Sequence, residues 1–315
     1  MSNLDLLMSN RAPFFLTDGG LETWLIFQRG IELREFASFE MLQSNAGRTA
    51  LSEYFQMFLM LAEREGKGFV LDTPTWRASP DWCRKLGFGL HEMEEINRAA
   101  AAFARTVVAQ LGDPPLVVVN GAIGPRGDGY VLGEAMSAEE ARSYHGVQVA
   151  ALAGAGADMV SATTMTNLPE AIGIANAARD SKIPCVVSFT VETDGRLPTG
   201  QALGEAVQET DAVTANYPLY YMINCAHPDH FRTAVSGGET WTNRIGGIRA
   251  NASRMSHAEL DVAVELDDGD PQELGALHGE LLELLPNIRV FGGCCGTDHR
   301  HVACMAGYLP QTQAA

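Results

Sequence analysis

Two adjacent cysteines, Cys294 and Cys295, stand between glycines in the segment 291–299, which reads Phe-Gly-Gly-Cys-Cys-Gly-Thr-Asp-His. The short apolar run 288–291 before them is typical of a buried strand. Because glycine carries no Cβ, the Gly-Gly pair lets the backbone turn tightly and bring both thiols into one small volume. A catalytic zinc site takes three protein ligands and keeps one position open. The pair therefore predicts a metal site that needs a third ligand from elsewhere in the chain.

Short apolar runs alternate with longer helical patterns along the chain. The runs carry few charges, which is typical of strands buried on both faces. They span 14–20, 68–76, 116–124, 157–165, 183–190, 220–225, 244–251 and 288–295. Eight strands alternating with helices over about 300 residues predict an α/β protein, a single closed (β/α)8 TIM barrel with its active site at the C-terminal ends of the strands. We expect one domain over residues 1–315. An open doubly wound sheet is disfavoured because no Gly-x-Gly-x-x-Gly follows the first run.

Helix-start signals fall between the runs. Residues 137–140 form a capping box, and Asp270, Pro271 and Glu273 offer an N-cap, an N1 proline and an N3 acid. Residues 50–65 carry apolar side chains at helical spacing. The acidic stretch 254–270 is longer than a typical loop. A solvated excursion is the simpler interpretation, and a lid over the barrel mouth is the alternative.

Composition excludes several classes of partner. The 315 residues carry a formal net charge of −17, which disfavours binding to nucleic acid or to an anionic membrane. The sequence contains no run of 18 apolar residues, so it predicts no membrane span. Its N-terminal residues lack the basic and apolar regions of a signal peptide. We therefore expect a cytoplasmic protein whose cysteines are reduced and act as packing residues, metal ligands or nucleophiles. The sequence leaves open whether it forms a homo-oligomer.

Cys225 is the candidate third ligand. It follows Asn224 at the end of the sixth run, and the sixth and eighth strands of a barrel lie near each other. Polar residues at strand ends are candidates for substrate binding, and Asn224 is one of them. A lone cysteine on a strand is more often a core residue than a ligand, and we interpret the remaining three in that way. These are Cys83, Cys185 and Cys304.

Several of these elements together resemble the homocysteine S-methyltransferase family. They are the Asp18-Gly-Gly turn, the Ile-Asn-Cys at 223–225, Asn251 in the seventh run and the Gly-Gly-Cys-Cys-Gly at 292–296. The similarity runs from about residue 14 to residue 309. It implies a zinc-dependent barrel that methylates the thiol of homocysteine to give methionine. The donors would be sulfonium or ammonium compounds such as S-methylmethionine or betaine.

The resemblance also assigns roles to individual residues. Cys225, Cys294 and Cys295 match the zinc ligands of the family. Asp18, with Gly19 beside it, matches the carboxylate that binds the ammonium group of the amino acid. The partners implied are a small thiol acceptor and an onium methyl donor. A phosphate-binding role for the Gly-Gly pair is disfavoured, because such a loop needs backbone N–H groups rather than thiols.

Thr163 departs from the family pattern. The fourth strand of the family usually ends in a glutamate that also holds the ammonium of homocysteine, and Thr163 occupies the matching position. A neutral hydrogen bond is weaker than a charge-assisted one. Glu22 or Glu192 could substitute for the missing carboxylate. Otherwise the acceptor is a different thiol, or the barrel binds zinc or a thiol without turnover.

Two aromatic residues are candidates for the donor side. Trp76 follows the second run and Trp24 the first, and a tryptophan face can hold a sulfonium or quaternary ammonium ion. Ordinary core packing is the alternative for both. Arg77 would repel an onium head but could bind the carboxylate of a donor.

Overall fold

The computed structural model describes residues 1–9 and 13–310, and eight parallel strands within them close into a barrel. Each strand pairs with the next, and the last pairs with the first, Phe15 lying opposite Val290. This confirms the predicted (β/α)8 fold, and each predicted run contains one strand. The strands are β1 (Phe15–Leu16), β2 (Gly68–Asp72), β3 (Val117–Ile123), β4 (Met159–Met165), β5 (Cys185–Phe189), β6 (Tyr221–Asn224), β7 (Ile245–Ala250) and β8 (Val290–Gly293).

Helices surround the barrel and cover its outer face. Short 3₁₀ and π segments interrupt the connections, including a π-helical turn at Trp24–Gln28. The α-helices of the described residues are α1 (Asn3–Leu7), α2 (Leu21–Thr23), α3 (Asn45–Arg64), α4 (Pro80–Lys85), α5 (Leu90–Ala109), α6 (Ala138–Gly154), α7 (Leu168–Asp180), α8 (Leu203–Thr214), α9 (Pro228–Val235), α10 (His257–Asp261), α11 (Pro271–Leu284) and α12 (His299–Tyr308).

The predicted N-termini of α6 and α11 are confirmed, and a side chain caps the first turn of each helix. Ser137 Oγ accepts a hydrogen bond from the Glu140 N–H before α6, and Asp270 accepts two from the first turn of α11. The helix predicted over 50–65 begins earlier, at Asn45, because Ser44 Oγ accepts from the Gly47 N–H.

The inward-facing side chains form two layers of opposite character. The N-terminal end of the barrel is closed by a buried apolar cluster that includes Val70, Val118 and Val186, and Leu7 of α1 packs against it. Side chains alternate along a strand, so the inward position two residues further on lies one layer higher. In β2 and β3 these positions carry Asp72 and Asn120. The barrel interior is therefore apolar at its N-terminal end and polar toward the C-terminal strand ends.

No helix of the described residues is long and apolar enough to cross a membrane. The assignment of residues 1–315 to one domain stays a prediction, and residues 10–12 and 311–315 lie outside the described part. The stretch 254–270 contains α10, and Ser256 Oγ caps that helix by accepting a hydrogen bond from the Glu259 N–H.

Candidate active site

Three sulfur atoms meet at the C-terminal ends of β6 and β8. Cys225 follows β6, Cys294 and Cys295 follow β8, and their Sγ atoms all lie within 4.8 Å of one another. Cys225 is 5 % exposed, and the adjacent pair is half-buried. The structure thus brings together sulfurs that are 69 residues apart in the chain. This group of three could hold one metal ion.

One feature of the sulfur cluster differs from the prediction of reduced cysteines. Cys225 and Cys294 are joined as a disulfide, and their Cα atoms are 5.4 Å apart. That Cα distance is within the usual range for a disulfide. Two cysteines whose sulfurs are directed at one metal position are therefore also close enough to bond to each other. Cys295 remains a free thiol. Only the reduced pair can supply two thiolates, so the reduced chain is the form that could bind a metal through all three sulfurs.

The backbone around Cys225 adopts an unusual conformation. Cys225 has φ of +54°, and Thr164 on the neighbouring side of the cavity has φ of +64°. Non-glycine residues rarely adopt this left-handed region, and those that do concentrate at functional sites. The Cys225 carbonyl is fixed by Asn251 Nδ2, which donates at 3.0 Å, and by His257 Nε2 at 2.8 Å. These contacts hold the turn that directs the sulfur inward.

The two glycines before Cys294 are required for a different reason from the one that the sequence suggested. Neither Gly292 nor Gly293 has a positive φ; that conformation belongs to Gly296, at +79°. Instead, a Cβ on Gly292 would overlap the Thr17 side chain, and one on Gly293 would overlap the Thr297 side chain. The glycines therefore allow close approach to neighbouring side chains rather than a tight turn.

Tyr130, from the loop after β3, reaches the sulfur cluster. Its hydroxyl donates to Cys295 Sγ at 3.3 Å, and its ring stacks on the His257 ring with centroids 4.1 Å apart. Burial raises the pKa of the Cys295 thiol, and the Tyr130 hydrogen bond opposes that rise. The second nitrogen of His257 lies 3.1 Å from the carboxylate of Glu192. Glu192 therefore supports His257 and is not among the residues that line the cavity.

A cavity of about 630 Å³ opens above the sulfurs at the C-terminal face of the barrel. A cavity of this size suits a small ligand. Trp24 and Glu192 do not line it, whereas the other residues proposed from the sequence as ligands or substrate contacts do. These residues are Asp18, Gly19, Glu22, Trp76, Arg77, Thr163, Asn224, Cys225, Cys294 and Cys295.

A charged group lies beside the sulfurs, because β7 runs between the two strands that carry them. Arg249 of β7 forms ion pairs with both Asp18 and Asp72, and its side chain is only 11 % exposed. Burial alone would lower the pKa of Arg249, but the two carboxylates raise it, so the guanidinium stays charged. Burial raises the pKa of Asp18, while the charge of Arg249 opposes that rise. Burial also raises the pKa of Glu22, whose carboxylate accepts from Ser38 Oγ at 2.7 Å.

Asn224 has its hydrogen-bonding groups occupied by neighbouring residues. Its Oδ1 accepts from the Thr164 N–H at 2.9 Å and from Ser188 Oγ at 2.6 Å. Its Nδ2 donates to Thr164 Oγ1 at 2.8 Å. The side chain lines the cavity, but its hydrogen bonds connect β6 to β5 and to the end of β4.

The aromatic residues predicted for the donor side separate into two groups. Trp76 lines the cavity, and its Nε1 donates to the Thr163 carbonyl at 3.3 Å. Arg77 Cζ lies 4.4 Å from the Trp76 ring centroid and 3.6 Å from that of Trp82, so the guanidinium is stacked between two indoles. Trp24 instead packs in the core against Tyr54, with centroids 5.1 Å apart. Core packing is thus the correct interpretation for Trp24.

Acidic residues surround the mouth of the cavity. Asp261, Glu265 and Asp267 come from the stretch after β7, and Asp128 comes from the loop after β3. The stretch 254–270, which we interpreted as a solvated excursion, therefore contributes part of the cavity wall. Its valines, Val262 and Val264, stay 75 % and 90 % exposed.

Several cavity residues were not proposed from the sequence. Asp72 and Arg249 are the only charged residues in β2 and β7, and a lone charge near the end of a buried strand could have indicated them. Tyr130 and Trp82 lie outside the strands. Their place in the cavity depends on loop conformation, for which the sequence carries no signal.

Fold and site together define a class: a parallel barrel enzyme with a thiol cluster at the catalytic face. A model of the homocysteine S-methyltransferase family matches residues 15–309, so the chain belongs to that family and is a methyltransferase of that class. It is similar to homocysteine S-methyltransferase 4 of Zea mays, with 27 % identity over 75 % of this chain and 74 % of the maize protein.

Two crystal structures of the homocysteine methyltransferase MmuM from Escherichia coli show the same fold. The oxidized form is 20 % identical with a TM-score of 0.75, over 98 % of this chain and 99 % of the other. The metallated form is 22 % identical with a TM-score of 0.73, over 97 % and 99 %.

Proposed function

We propose that this protein is a zinc-dependent methyltransferase that moves a methyl group from a sulfonium or ammonium donor to the thiol of homocysteine, giving methionine. The observation that carries the proposal is the convergence of Cys225, Cys294 and Cys295 at the base of the cavity. Membership of the homocysteine S-methyltransferase family supports the reaction class, and the names of the maize and bacterial relatives support homocysteine as the acceptor.

The donor set fits zinc. Sulfurs bound to one tetrahedral zinc ion at about 2.3 Å lie about 3.8 Å from each other. The three Sγ atoms here lie within 4.8 Å, and reduction of the Cys225–Cys294 disulfide would free its two sulfurs to take that spacing. Three protein ligands leave a fourth position for substrate, which is the pattern of a catalytic rather than a structural site. When bound, zinc would supply deprotonation of the incoming thiol at neutral pH.

The remaining residues would orient the two substrates. Asp18 and Gly19 border the acceptor side, with Thr163 and Asn224 completing the wall. Trp76 and the acidic mouth suit a cationic donor, since negative charge around a cleft raises the local concentration of cations. Arg77 is buried between two indoles and could hold a carboxylate of the donor. Because thiolate and onium ion become neutral products, methyl transfer itself requires no general acid or base.

The direct test is methionine formation by reduced, zinc-loaded protein with homocysteine and either S-methylmethionine or betaine. We expect turnover with at least one donor and about one zinc per chain. Zinc binding with no methyl transfer to any thiol would favour the alternative of a non-catalytic zinc-binding barrel. Failure to bind zinc after full reduction would contradict the proposal altogether.

A further inference from the structure

Arg249 provides a cation inside the barrel, beside the acceptor wall. Its Nη2 pairs with Asp18 and its Nη1 with Asp72, while its Nε donates to the Gly293 carbonyl at 3.1 Å. A fourth donation, from Nη2 to the Gly19 carbonyl at 3.4 Å, ties the guanidinium to the segment after β1. The group is therefore fixed on three strands.

A hydrogen-bond chain continues from Asp72 to the far wall. Asn120 Nδ2 lies 2.7 Å from Asp72 Oδ1 and 2.7 Å from Ser161 Oγ. The Ser161 and Thr163 hydroxyls are hydrogen-bonded at 3.0 Å. At the end of this chain stands a neutral hydroxyl, so β4 contributes no charge to the cavity.

The charges of this wall are largely matched before any substrate binds. Asp18 and Asp72 share one guanidinium, which leaves at most a single net negative charge over the three groups. An ammonium ion entering beside Arg249 would be repelled by it and would compete with it for the same carboxylates. A neutral portion of a substrate would meet neither cost.

We propose that Arg249 takes the place of a substrate ammonium, so that the site selects its acceptor by thiol and chain length and gains little from an α-amino group. The acceptor class is then short aliphatic thiols, with or without an α-amino group. This inference rests on the proposed function, and Arg249 and Thr163 are its specificity-determining residues.

The test compares homocysteine with 4-mercaptobutyrate, which is homocysteine without its amino group. Methyl transfer is measured on the reduced, zinc-loaded protein with one onium donor, and binding of each thiol is measured by titration calorimetry. We expect the two acceptors to differ by less than tenfold in kcat/KM and in Kd. A preference for homocysteine of tenfold or more would overturn the inference, because a charge-assisted contact typically changes binding by about ten- to hundredfold.

A pair of variants tests the same point from the opposite direction. Thr163→Glu adds a carboxylate at the neutral end of the chain, and Thr163→Gln adds the same bulk without charge. We expect the glutamate variant to prefer homocysteine at least tenfold more than the glutamine variant does, mainly through KM. Equal preferences in the two variants would overturn the inference.

The outcomes separate this inference from the proposed function. Absence of methyl transfer to both thiols would contradict the proposed function, and the calorimetric ratio would still decide the inference. The wild-type comparison also does not depend on whether either variant folds.

Discussion

The two sides of the cavity are built on different physical principles. On the β6 and β8 side, three uncharged sulfurs are held by backbone geometry and neutral hydrogen bonds, with Cys225 in a left-handed conformation. On the charged side, Asp18 after β1 and Asp72 at the end of β2 form a buried ion-pair group with Arg249, whose strand β7 runs between the two sulfur-bearing strands. The sulfur side matches the family resemblance residue by residue, whereas the charged side contains features that the resemblance did not indicate. We therefore expect reaction chemistry and substrate selection to be separable in this barrel.

The largest effect is expected from the sulfur side. Cys294→Ser should abolish stoichiometric zinc binding and reduce methyl transfer to background, because two sulfurs are too few for a catalytic zinc site. Metal analysis of the reduced protein measures the first effect. Cys304→Ser is the matched control, since Cys304 lies on α12 and packs against Gly275. Normal zinc content in the Cys294 variant would show that zinc binding does not depend on the sulfur side.

The charged side should show a large effect on stability. Arg249→Met leaves Asp18 and Asp72 buried without a counter-ion, which should lower the free energy of unfolding by about 3–5 kcal/mol at neutral pH. Arg254→Met provides the control, because Arg254 pairs with Asp229 and Glu273 on the surface and should cost less than about 1 kcal/mol. Chemical denaturation compares the two variants. Equal losses would show that the buried group does not depend on its cation.

The free energy of unfolding should depend on pH through a histidine that packs against β8. His278 of α11 is buried against Phe291, and burial lowers its pKa to about 4. The neutral form is favoured in the fold, so its stabilising contribution is complete above the unfolded pKa of about 6.5 and is lost as pH falls from there toward 4. The loss should approach about 3 kcal/mol. In His278→Gln, stability should change less steeply over that window; an unchanged slope would exclude His278 as its source.

The smallest effect concerns the contact between the loop after β3 and the sulfur cluster. Tyr130→Phe removes the hydrogen bond to Cys295 but keeps the ring that stacks on His257. Loss of one hydrogen bond to a metal ligand should weaken zinc affinity by about tenfold or somewhat more. Competition with a zinc chelator measures the change. Tyr144→Phe, whose hydroxyl contacts Ser79, should leave affinity unaltered.

The sequence predicted the sulfur side better than the charged side for a physical reason. Strand alternation and barrel closure determine where strand ends meet, so Cys225 could be placed near the cysteine pair before any coordinates were known. A lone charge in an apolar run marks Asp72 and Arg249 as candidates, but it does not reveal their inward direction, which depends on strand register. Tyr130 lies on a loop whose course is set by tertiary contacts. Trp24 and Trp76 each follow a predicted strand, so the sequence does not distinguish them, and only their packing in the structure does.

The roles of the two Gly-Gly glycines illustrate a similar limit. Glycine in a sequence indicates either conformational freedom or close approach, and only coordinates show which of these applies. At Gly293 the neighbour is Thr297, four residues later, whereas at Gly292 it is Thr17, from the opposite end of the chain. The latter contact exists only because β8 closes onto β1.

The central claim is that three cysteines hold one zinc ion and leave one position for the acceptor thiol. Zinc X-ray absorption spectroscopy on the reduced, zinc-loaded protein tests it most directly, with and without homocysteine. The account predicts three sulfur neighbours at about 2.3 Å in the free protein and four when the thiol is bound. Fewer than three sulfur neighbours in the free protein, or a sulfur count that does not rise with homocysteine, would contradict it.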